Sequence, residues 1–364
     1  MIKFLDLNKI NQPYENAFQN KLRNVLDSGW YILGDEVKLF EKNFAAYCDA
    51  KHCIGVGNGF DALTLIYKAY IELGKMKKGD EVIVPANTYI ATILSIIQAD
   101  LVPVLVEPKL ETYTLNPNLI AEKITNKTRS ILAVNLYGQL AELDLINEIA
   151  NQYNLIVVED SAQSHGAILN NRKSRNTQAF SFYPGKNLGA LGDGGAVITN
   201  DDQLAELLYS LRNYGSQVKY YNDFIGVNSR LDELQAAFLN VKLPNLDSEN
   251  IIRKSIAKRY LLEINNDNLT LPFWDYSDNH VFHLFVIRTP KRKELQDYLK
   301  KNGIETLIHY PVAPHRQKAF DFWNNLQLPI TEKIHDEVLS LPMSPVMTDQ
   351  EIDFVIQILN SWVL

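Results

Sequence analysis

The chain has 364 residues, of which 46% are hydrophobic and 22% are charged. This composition is typical of a well-cored globular protein of about two domains, and it excludes the disordered and fibrous classes. The formal net charge is −7, and no lysine- or arginine-rich run is present, so neither a nucleic-acid surface nor an acidic membrane surface is expected as a partner.

The N-terminus and the cysteines indicate the compartment. Asp6 stands where a signal peptide would continue its apolar core, and no uncharged apolar stretch approaches the ~18 residues of a membrane helix. Cys48 and Cys53 are too few for a disulfide framework and do not have the spacing of a metal site. We therefore expect two core thiols, no metal and a cytoplasmic location.

Short apolar runs alternate with helical patterns through the first two thirds of the chain. The runs lie at residues 53–56, 81–84, 102–106, 130–134 and 155–158. Apolar residues recur at helical spacing between them, for example at residues 61–72 and 143–153. This alternation predicts an α/β fold with a mainly parallel, buried sheet covered by helices. In such sheets, ligands bind beyond the carboxyl ends of the strands.

A domain boundary is predicted about two thirds of the way along the chain. A helical pattern at residues 230–241 is followed by Pro244 and a polar stretch, which divides a large domain, residues 1–243, from a smaller C-terminal α/β domain, residues 244–364. The smaller domain is predicted to contain one strand and two helices, at residues 281–287, 292–301 and 349–362.

Lys186 and Asp160 are the most informative pair of residues. Asp160 follows the apolar run that ends at Val158, and Lys186 lies in a glycine-dense segment. Alone, Asp160 could cap a helix and Lys186 could be a solvated charge. Together they supply what pyridoxal phosphate needs, since a lysine amine bonds to its aldehyde and a carboxylate keeps its pyridine nitrogen protonated. Burial beside Phe180 and Phe182 would lower the pKa of the Lys186 amine.

A phosphate site is predicted where residues 56–63 join a strand to a helix. Free backbone N–H groups at such a helix start bind anions, and glycines allow close approach. The segment lacks the lysine of a P-loop and the three spaced glycines of a dinucleotide site. The hydroxyl of Ser181, five residues before Lys186, could turn to the same phosphate.

Three further residues each allow two interpretations. Gln163 could donate to the phenolic oxygen of the cofactor or could be a surface glutamine at a helix start. Tyr89 could stack on the pyridine ring or could be an ordinary core tyrosine. His165 could act in catalysis or, as we favour, serve as a buried structural histidine.

These segments together resemble the DegT/DnrJ/EryC1/StrS family of pyridoxal-phosphate-dependent sugar-nucleotide aminotransferases. The likeness extends from residues 29–34 through 226–237 to 308–311. It implies the aspartate aminotransferase type of fold, which is pyridoxal phosphate fold type I. It also implies covalent attachment at Lys186, a pyridine contact from Asp160, a contact of Gln163 near the phenolic oxygen, and phosphate contacts from Ser181 and from the backbone of Gly59 and Phe60.

The resemblance also implies a homodimer with shared active sites, in which Asn228 reaches the partner's cofactor phosphate. Residues 58–63 and 184–193 look most like the branch that transfers the amino group of L-glutamate to C3 of dTDP-linked 3-oxo-6-deoxyhexoses. Products of that kind enter glycans such as lipopolysaccharide or S-layer glycan. Phe60 departs from the small hydroxyl residue that many members of the family carry, so only a backbone contact to the phosphate is expected there.

The sugar is expected to bind beside residues 308–315. This proline-bounded segment predicts either a loop over the substrate or an ordinary turn. In the first case His309 and Tyr310 would touch the hexose or its pyrophosphate, and Tyr183 is a third candidate for the substrate pocket.

Other functions remain open at the level of sequence. One is an aminotransferase that acts at C4 of a nucleotide-linked 4-keto sugar, and another is a pyridoxal-phosphate-binding regulator without turnover. A nucleotide-binding oxidoreductase is less favoured. The deoxygenating dehydratase of the same family has histidine in place of the lysine, so the presence of Lys186 argues against it.

Overall fold

A computed structural model describes residues 1–170, 173–218 and 220–363. Nine strands run through these residues: β1 His52–Val56, β2 Glu81–Pro85, β3 Val102–Val106, β4 Thr128–Val134, β5 Ile156–Asp160, β6 Thr177–Ser181, β7 Gly195–Thr199, β8 Phe285–Arg288 and β9 Val338–Leu341. The α-helices are α1 Leu7–Asn11, α2 Glu15–Ser28, α3 Asp35–Tyr47, α4 Gly59–Glu72, α5 Ile90–Gln98, α6 Leu143–Tyr153, α7 Asp202–Leu211, α8 Glu233–Lys242, α9 Leu246–Glu263, α10 Arg292–Lys301, α11 Pro329–Glu337 and α12 Asp349–Asn360.

Seven strands form one sheet in the order β1-β7-β6-β5-β4-β2-β3. Strands β6, β5, β4, β2 and β3 pair in parallel, whereas β7 runs antiparallel to both β6 and β1. The predicted mainly parallel sheet is therefore confirmed, and each of the five predicted apolar runs lies on a strand except for Leu155, which precedes β5. The carboxyl ends of β1, β5 and β6 meet at one edge, which brings Val56, Asp160 and Ser181 to the same side of the sheet.

Helices cover both faces of this sheet. Residues of α4, α5 and α7 pack with one face, and residues of α3 and α8 pack with the other. Phe180 and Phe182 are buried in the second cluster, as predicted, and so are Cys48 and Cys53, which are free thiols. Buried clusters on both faces thus hold the sheet in one arrangement, including the edge that carries Val56, Asp160 and Ser181.

A second, two-stranded antiparallel sheet of β8 and β9 packs with α9, α10 and α12. The predicted helix at residues 292–301 is confirmed, and the last helix ends at Asn360, two residues before the predicted end. The predicted strand at residues 281–287 is wrong in its first part. Val281 and Leu284 donate their N–H groups to the carbonyls of Gly138 and Tyr137, so regular pairing with β9 begins only at Phe285.

Other boundaries differ slightly from the sequence predictions. Helix α4 begins at Gly59 rather than at residue 61, and α8 begins at Glu233 rather than at residue 230. The division of the chain after residue 243 stays a prediction. Within the described residues, no helix combines the length and the apolar character that crossing a membrane requires.

Candidate active site

A cavity of about 1290 Å³ opens at the carboxyl edge of the large sheet. The cavity is lined by all the site residues in the sequence-based prediction except Asn228. They are Gly59, Phe60, Tyr89, Asp160, Gln163, Ser181, Tyr183, Lys186, His309 and Tyr310. Tertiary folding therefore brings together residues that are up to 251 positions apart in the sequence, from Gly59 to Tyr310. Asn228 is exposed and lies outside the cavity.

Lys186 is presented to the cavity by a tight loop that follows β6. The loop is closed by backbone bonds from Lys186 N to the Tyr183 carbonyl, 2.9 Å, and from Ala190 N to the Phe182 carbonyl, 2.8 Å. Gly189 is required in this loop, because a Cβ there would lie 2.3 Å from the Pro184 carbonyl oxygen. Burial lowers the pKa of Lys186 to about 8, against a smaller opposing effect of the Asp160 charge. The amine can therefore exchange a proton near neutral pH.

Asp160 is the last residue of β5 and is only 8% exposed. Its Oδ2 accepts a hydrogen bond from Thr92 Oγ1 at 2.7 Å, and its Oδ1 accepts one from Ala162 N at 3.1 Å. Burial raises the pKa of Asp160, while these two bonds and the nearby Lys186 charge act in the opposite direction. A buried carboxyl group held in one orientation is stabilised by a cationic N–H donor, such as a protonated pyridine.

The helix start next to Ser181 has the features of an anion site. Asn58 caps α4 by accepting a hydrogen bond from Asp61 N at 2.8 Å, which leaves the first N–H groups of the 14-residue helix directed outward. A Cβ on Gly59 would lie 2.7 Å from Ser181 Cβ, so only glycine allows the helix start to approach the serine this closely. The free N–H groups and the Ser181 hydroxyl fit a phosphate group.

The Gln163 amide has a defined orientation. Its Oε1 accepts a hydrogen bond from Tyr137 N at 2.7 Å, and its Nε2 therefore points the other way and donates to Tyr310 Oη at 3.1 Å. Gln163 is 7% exposed, so the alternative of a surface glutamine is wrong. A donor held at the cavity wall suits a phenolic oxygen.

Two aromatic rings, those of Tyr89 and Tyr310, line the cavity. Tyr89 is 50% exposed, so it is not a core tyrosine, and its ring centroid lies 5.0 Å from that of Tyr310. His309 Nδ1 is 2.8 Å from Ser340 Oγ. Burial, together with the Lys186 charge, lowers the pKa of His309 to about 4, so this imidazole is neutral at pH 7. The cavity thus has one aromatic wall with a neutral imidazole at its end.

His165 is a structural residue. It is fully buried, does not line the cavity, and packs its ring against Phe180 and Phe182 at centroid distances of 5.2 and 5.8 Å. Burial lowers its pKa to about 3. The favoured interpretation of a buried structural histidine agrees with this position.

Several cavity residues could not be found by sequence reasoning. Thr92, which orients Asp160, lies in the first turn of α5 and belongs to no recognisable motif. His283 lines the cavity from the segment before β8. Phe4 reaches it because a bridge between Ile2 and Ile304 holds the N-terminal segment in place, and its ring lies 5.7 Å from that of His309.

The residues of the cavity fit pyridoxal phosphate. When bound, this cofactor supplies an aldehyde and an electron-accepting ring. Lys186 is placed to bond with that aldehyde and to move a proton at its Nζ. Asp160 is placed to hold a proton on the ring nitrogen, and Gln163 to donate to the ring oxygen. The start of α4 and Ser181 would bind the phosphate group and fix the orientation of the ring.

Comparisons with known proteins agree with this site. The DegT/DnrJ/EryC1/StrS aminotransferase family matches residues 13–360. The dTDP-3-amino-3,6-dideoxy-alpha-D-galactopyranose transaminase of Aneurinibacillus thermoaerophilus is 54% identical, covering 100% of this chain and 99% of its own.

Two solved structures are also similar. DesV of S. venezuelae, in complex with a ketimine intermediate, is 44% identical with a TM-score of 0.95, covering 99% of this chain and 98% of its own. NtdA of Bacillus subtilis, with bound cofactor PMP, is 33% identical with a TM-score of 0.91, covering 98% of this chain and 83% of its own. The chain has the fold of these enzymes and belongs to the DegT/DnrJ/EryC1/StrS aminotransferase family of pyridoxal-phosphate-dependent transaminases.

Proposed function

We propose that this aminotransferase moves the amino group of L-glutamate to C3 of a dTDP-linked 3-oxo-6-deoxyhexose. The products are 2-oxoglutarate and a dTDP-3-amino-3,6-dideoxyhexose. The observation that carries the reaction type is the presence of Lys186 and Asp160 in one cavity, which is large enough for a cofactor and part of a sugar nucleotide. The substrate class is supported by the 54% identity with the Aneurinibacillus thermoaerophilus transaminase.

The roles of individual residues belong to the same proposal. In the first half of the reaction Lys186 would hold the cofactor until glutamate takes its place, and its amine would then take a proton from the α-carbon of glutamate. In the second half the same amine returns a proton to the sugar carbon that receives nitrogen. Tyr183, His309 and Tyr310 line the cavity and are proposed to contact the sugar nucleotide.

We infer a homodimer in which Asn228 of each chain completes the phosphate site of the other. Two features support this. Asn228 is exposed outside its own cavity, although the resemblance assigns it a phosphate contact. The segment that precedes it also exposes large apolar side chains, with Val218 63%, Tyr221 70% and Ile225 92% exposed. An exposed apolar surface of this kind is typical of a protein interface.

The setting of the reaction is part of the proposal as well. Two buried free thiols agree with a reducing compartment, so we place the enzyme in the cytoplasm, where it would supply an amino sugar for a glycan such as lipopolysaccharide or S-layer glycan.

Incubation with L-glutamate and candidate keto-sugars tests the function. The substrates are dTDP-linked 3-oxo-6-deoxyhexoses of galacto and gluco configuration and the corresponding 4-keto sugar. We expect an amine at C3, seen in the NMR spectrum of the product, and stoichiometric 2-oxoglutarate. The variant Lys186→Ala, which keeps the cavity, is the matched control and should give no product. An amine at C4 would support the C4 aminotransferase instead, and absence of product from every sugar would favour a regulator without turnover.

A further inference from the structure

His283 lines the cavity together with Lys186, but none of the roles above uses it. It lies between the loop at residues 137–138 and strand β8, and it is partly accessible from the cavity. A histidine at a cavity wall can present a donor or an acceptor, depending on which ring nitrogen carries the proton. The hydrogen bonds around His283 decide between these two forms.

A chain of three side chains fixes the proton on Nδ1. Asn250 Nδ2 donates to the carbonyl of His165 at 2.8 Å, so its Oδ1 faces the other way and accepts from Asn187 Nδ2, also at 2.8 Å. Asn187 Nδ2 donates in addition to the Val281 carbonyl at 3.2 Å. Asn187 Oδ1 must then face His283 Nδ1, which lies 3.2 Å away. Because backbone carbonyls only accept, both amide orientations are determined, and Nδ1 of His283 is the donor.

The second ring nitrogen, Nε2, is therefore a free acceptor. Burial and the charges of Lys186 and Arg253 hold the pKa of His283 well below its usual value, so the ring is neutral and Nε2 keeps its lone pair. Within residues 1–170, 173–218 and 220–363, no hydrogen-bond donor is paired with Nε2. The lone pair is available to a ligand in the cavity.

We propose that His283 Nε2 accepts a hydrogen bond from a ring hydroxyl of the sugar substrate and so determines specificity in one half of the reaction. This rests on the proposed function. A 3-oxo-6-deoxyhexose linked through C1 has free ring hydroxyls only at C2 and C4, and both flank the reacting carbon. The carboxylates of glutamate, by contrast, only accept and cannot pair with this nitrogen, and its amine, the one donor that it brings, is taken up in the bond to the cofactor. His283 therefore acts on the sugar and not on the amino donor.

A matched pair of amide variants tests the contact. His283→Asn can keep the bond to Asn187 but loses the acceptor at the cavity, whereas His283→Gln can present an amide oxygen where Nε2 lies. We expect His283→Asn to lower kcat/KM for the keto-sugar about tenfold, the effect of one lost hydrogen bond, and His283→Gln to recover most of it. The glutamate half-reaction, followed by absorbance of the lysine-bound cofactor, should stay within about twofold in both. His52→Gln, at the half-buried start of β1 and outside the cavity, is the control for histidine replacement.

Substrates that lack one hydroxyl identify the bonded group. The wild type should discriminate about tenfold against either the 2-deoxy or the 4-deoxy analogue, and His283→Asn should lose that discrimination for one of them. The same discrimination in the wild type and in His283→Asn would overturn the proposal. Equal damage to the glutamate half-reaction would also overturn it, because His283 would then serve the fold or the cofactor.

The tautomer can be measured without turnover. In protein carrying ¹⁵N-labelled histidine, with His283→Gln used to assign the signal, His283 should show a protonated Nδ1 and an unprotonated Nε2. A protonated Nε2 would refute the inference whether or not the enzyme is active. Failure of the proposed function is recognised separately, because the wild type itself would then not convert the dTDP-linked 3-oxo-6-deoxyhexose.

Discussion

Replacing Lys186 by methionine should stabilise the cofactor-free protein near neutral pH. The lysine is charged at pH 7 but is held in a largely buried cavity, which lowers its pKa from 10.5 to about 8. Below pH 8 the lysine is charged in both the folded and the unfolded chain, so the folded state bears the whole cost of burying the charge. Methionine keeps the length of the side chain and removes that cost.

The size of the effect follows from the pKa difference. At about 1.4 kcal/mol for each pKa unit, a change from 10.5 to about 8 corresponds to an upper limit of about 3 to 4 kcal/mol in the free energy of unfolding. The observed gain should be smaller, about 1–2 kcal/mol, for two reasons. Lys186 is partly accessible to the cavity, and its removal also deprives Asp160 of a nearby positive charge.

The pH dependence distinguishes this effect from ordinary packing. Between pH 8 and 10.5 the folded state loses its proton before the unfolded state does, so the wild type gains stability with rising pH and the advantage of Lys186→Met shrinks. Above about pH 10.5 the advantage should disappear. Urea unfolding of both cofactor-free proteins at pH 7 and pH 10, at one protein concentration, measures the change, and Lys42→Met at an exposed position is the control.

A result of equal or lower stability for Lys186→Met at pH 7 would contradict the assignment of a buried, destabilising charge. A constant gain at both pH values would also contradict it, because a packing effect does not depend on the charge of the lysine. Either result would mean that solvent in the cavity screens the amine.

The remaining predictions concern the cofactor and the substrate. Asp160→Asn should reduce the rate of the glutamate half-reaction by at least about a hundredfold with little change in thermal stability, and a normal single-turnover rate would show that another group holds the ring proton. Gly59→Ala should weaken cofactor binding, measured by equilibrium titration, because its Cβ would lie 2.7 Å from that of Ser181; unchanged affinity would exclude this helix start as the phosphate site. A mixture of exchanging Lys186→Ala and Asn228→Ala subunits should recover up to about a quarter of the wild-type activity if sites are shared, and none if Asn228 serves its own chain. His309→Ala should raise the KM for the sugar nucleotide and leave the glutamate half-reaction nearly unchanged, whereas no effect on either would indicate an ordinary turn.

The sequence alone determined the fold class and the chemical centre of the site. Apolar runs and helical spacing are local patterns, so the five runs that lie on strands and the helix at residues 292–301 could be predicted. Lys186 and Asp160 could be paired because each stands in a recognisable segment and the two residue types serve one chemistry. Strands β6, β7 and β9 are not predicted, since none of them carries an apolar run longer than three residues.

Only the tertiary structure decided how the site residues are oriented. The contacts that orient them join segments that are distant in the sequence, and polar residues with no local pattern make them. These contacts are the hydrogen bond from Thr92 to Asp160, the one from the backbone N–H of Tyr137 to Gln163, and the chain from Asn250 through Asn187 to His283. Burial, which lowers the pKa of the Lys186 amine to about 8, likewise depends on which segments surround it. Local periodicity reports which side of an element is apolar, but the direction of a hydrogen bond and the cost of a buried charge are set by neighbours that folding brings together.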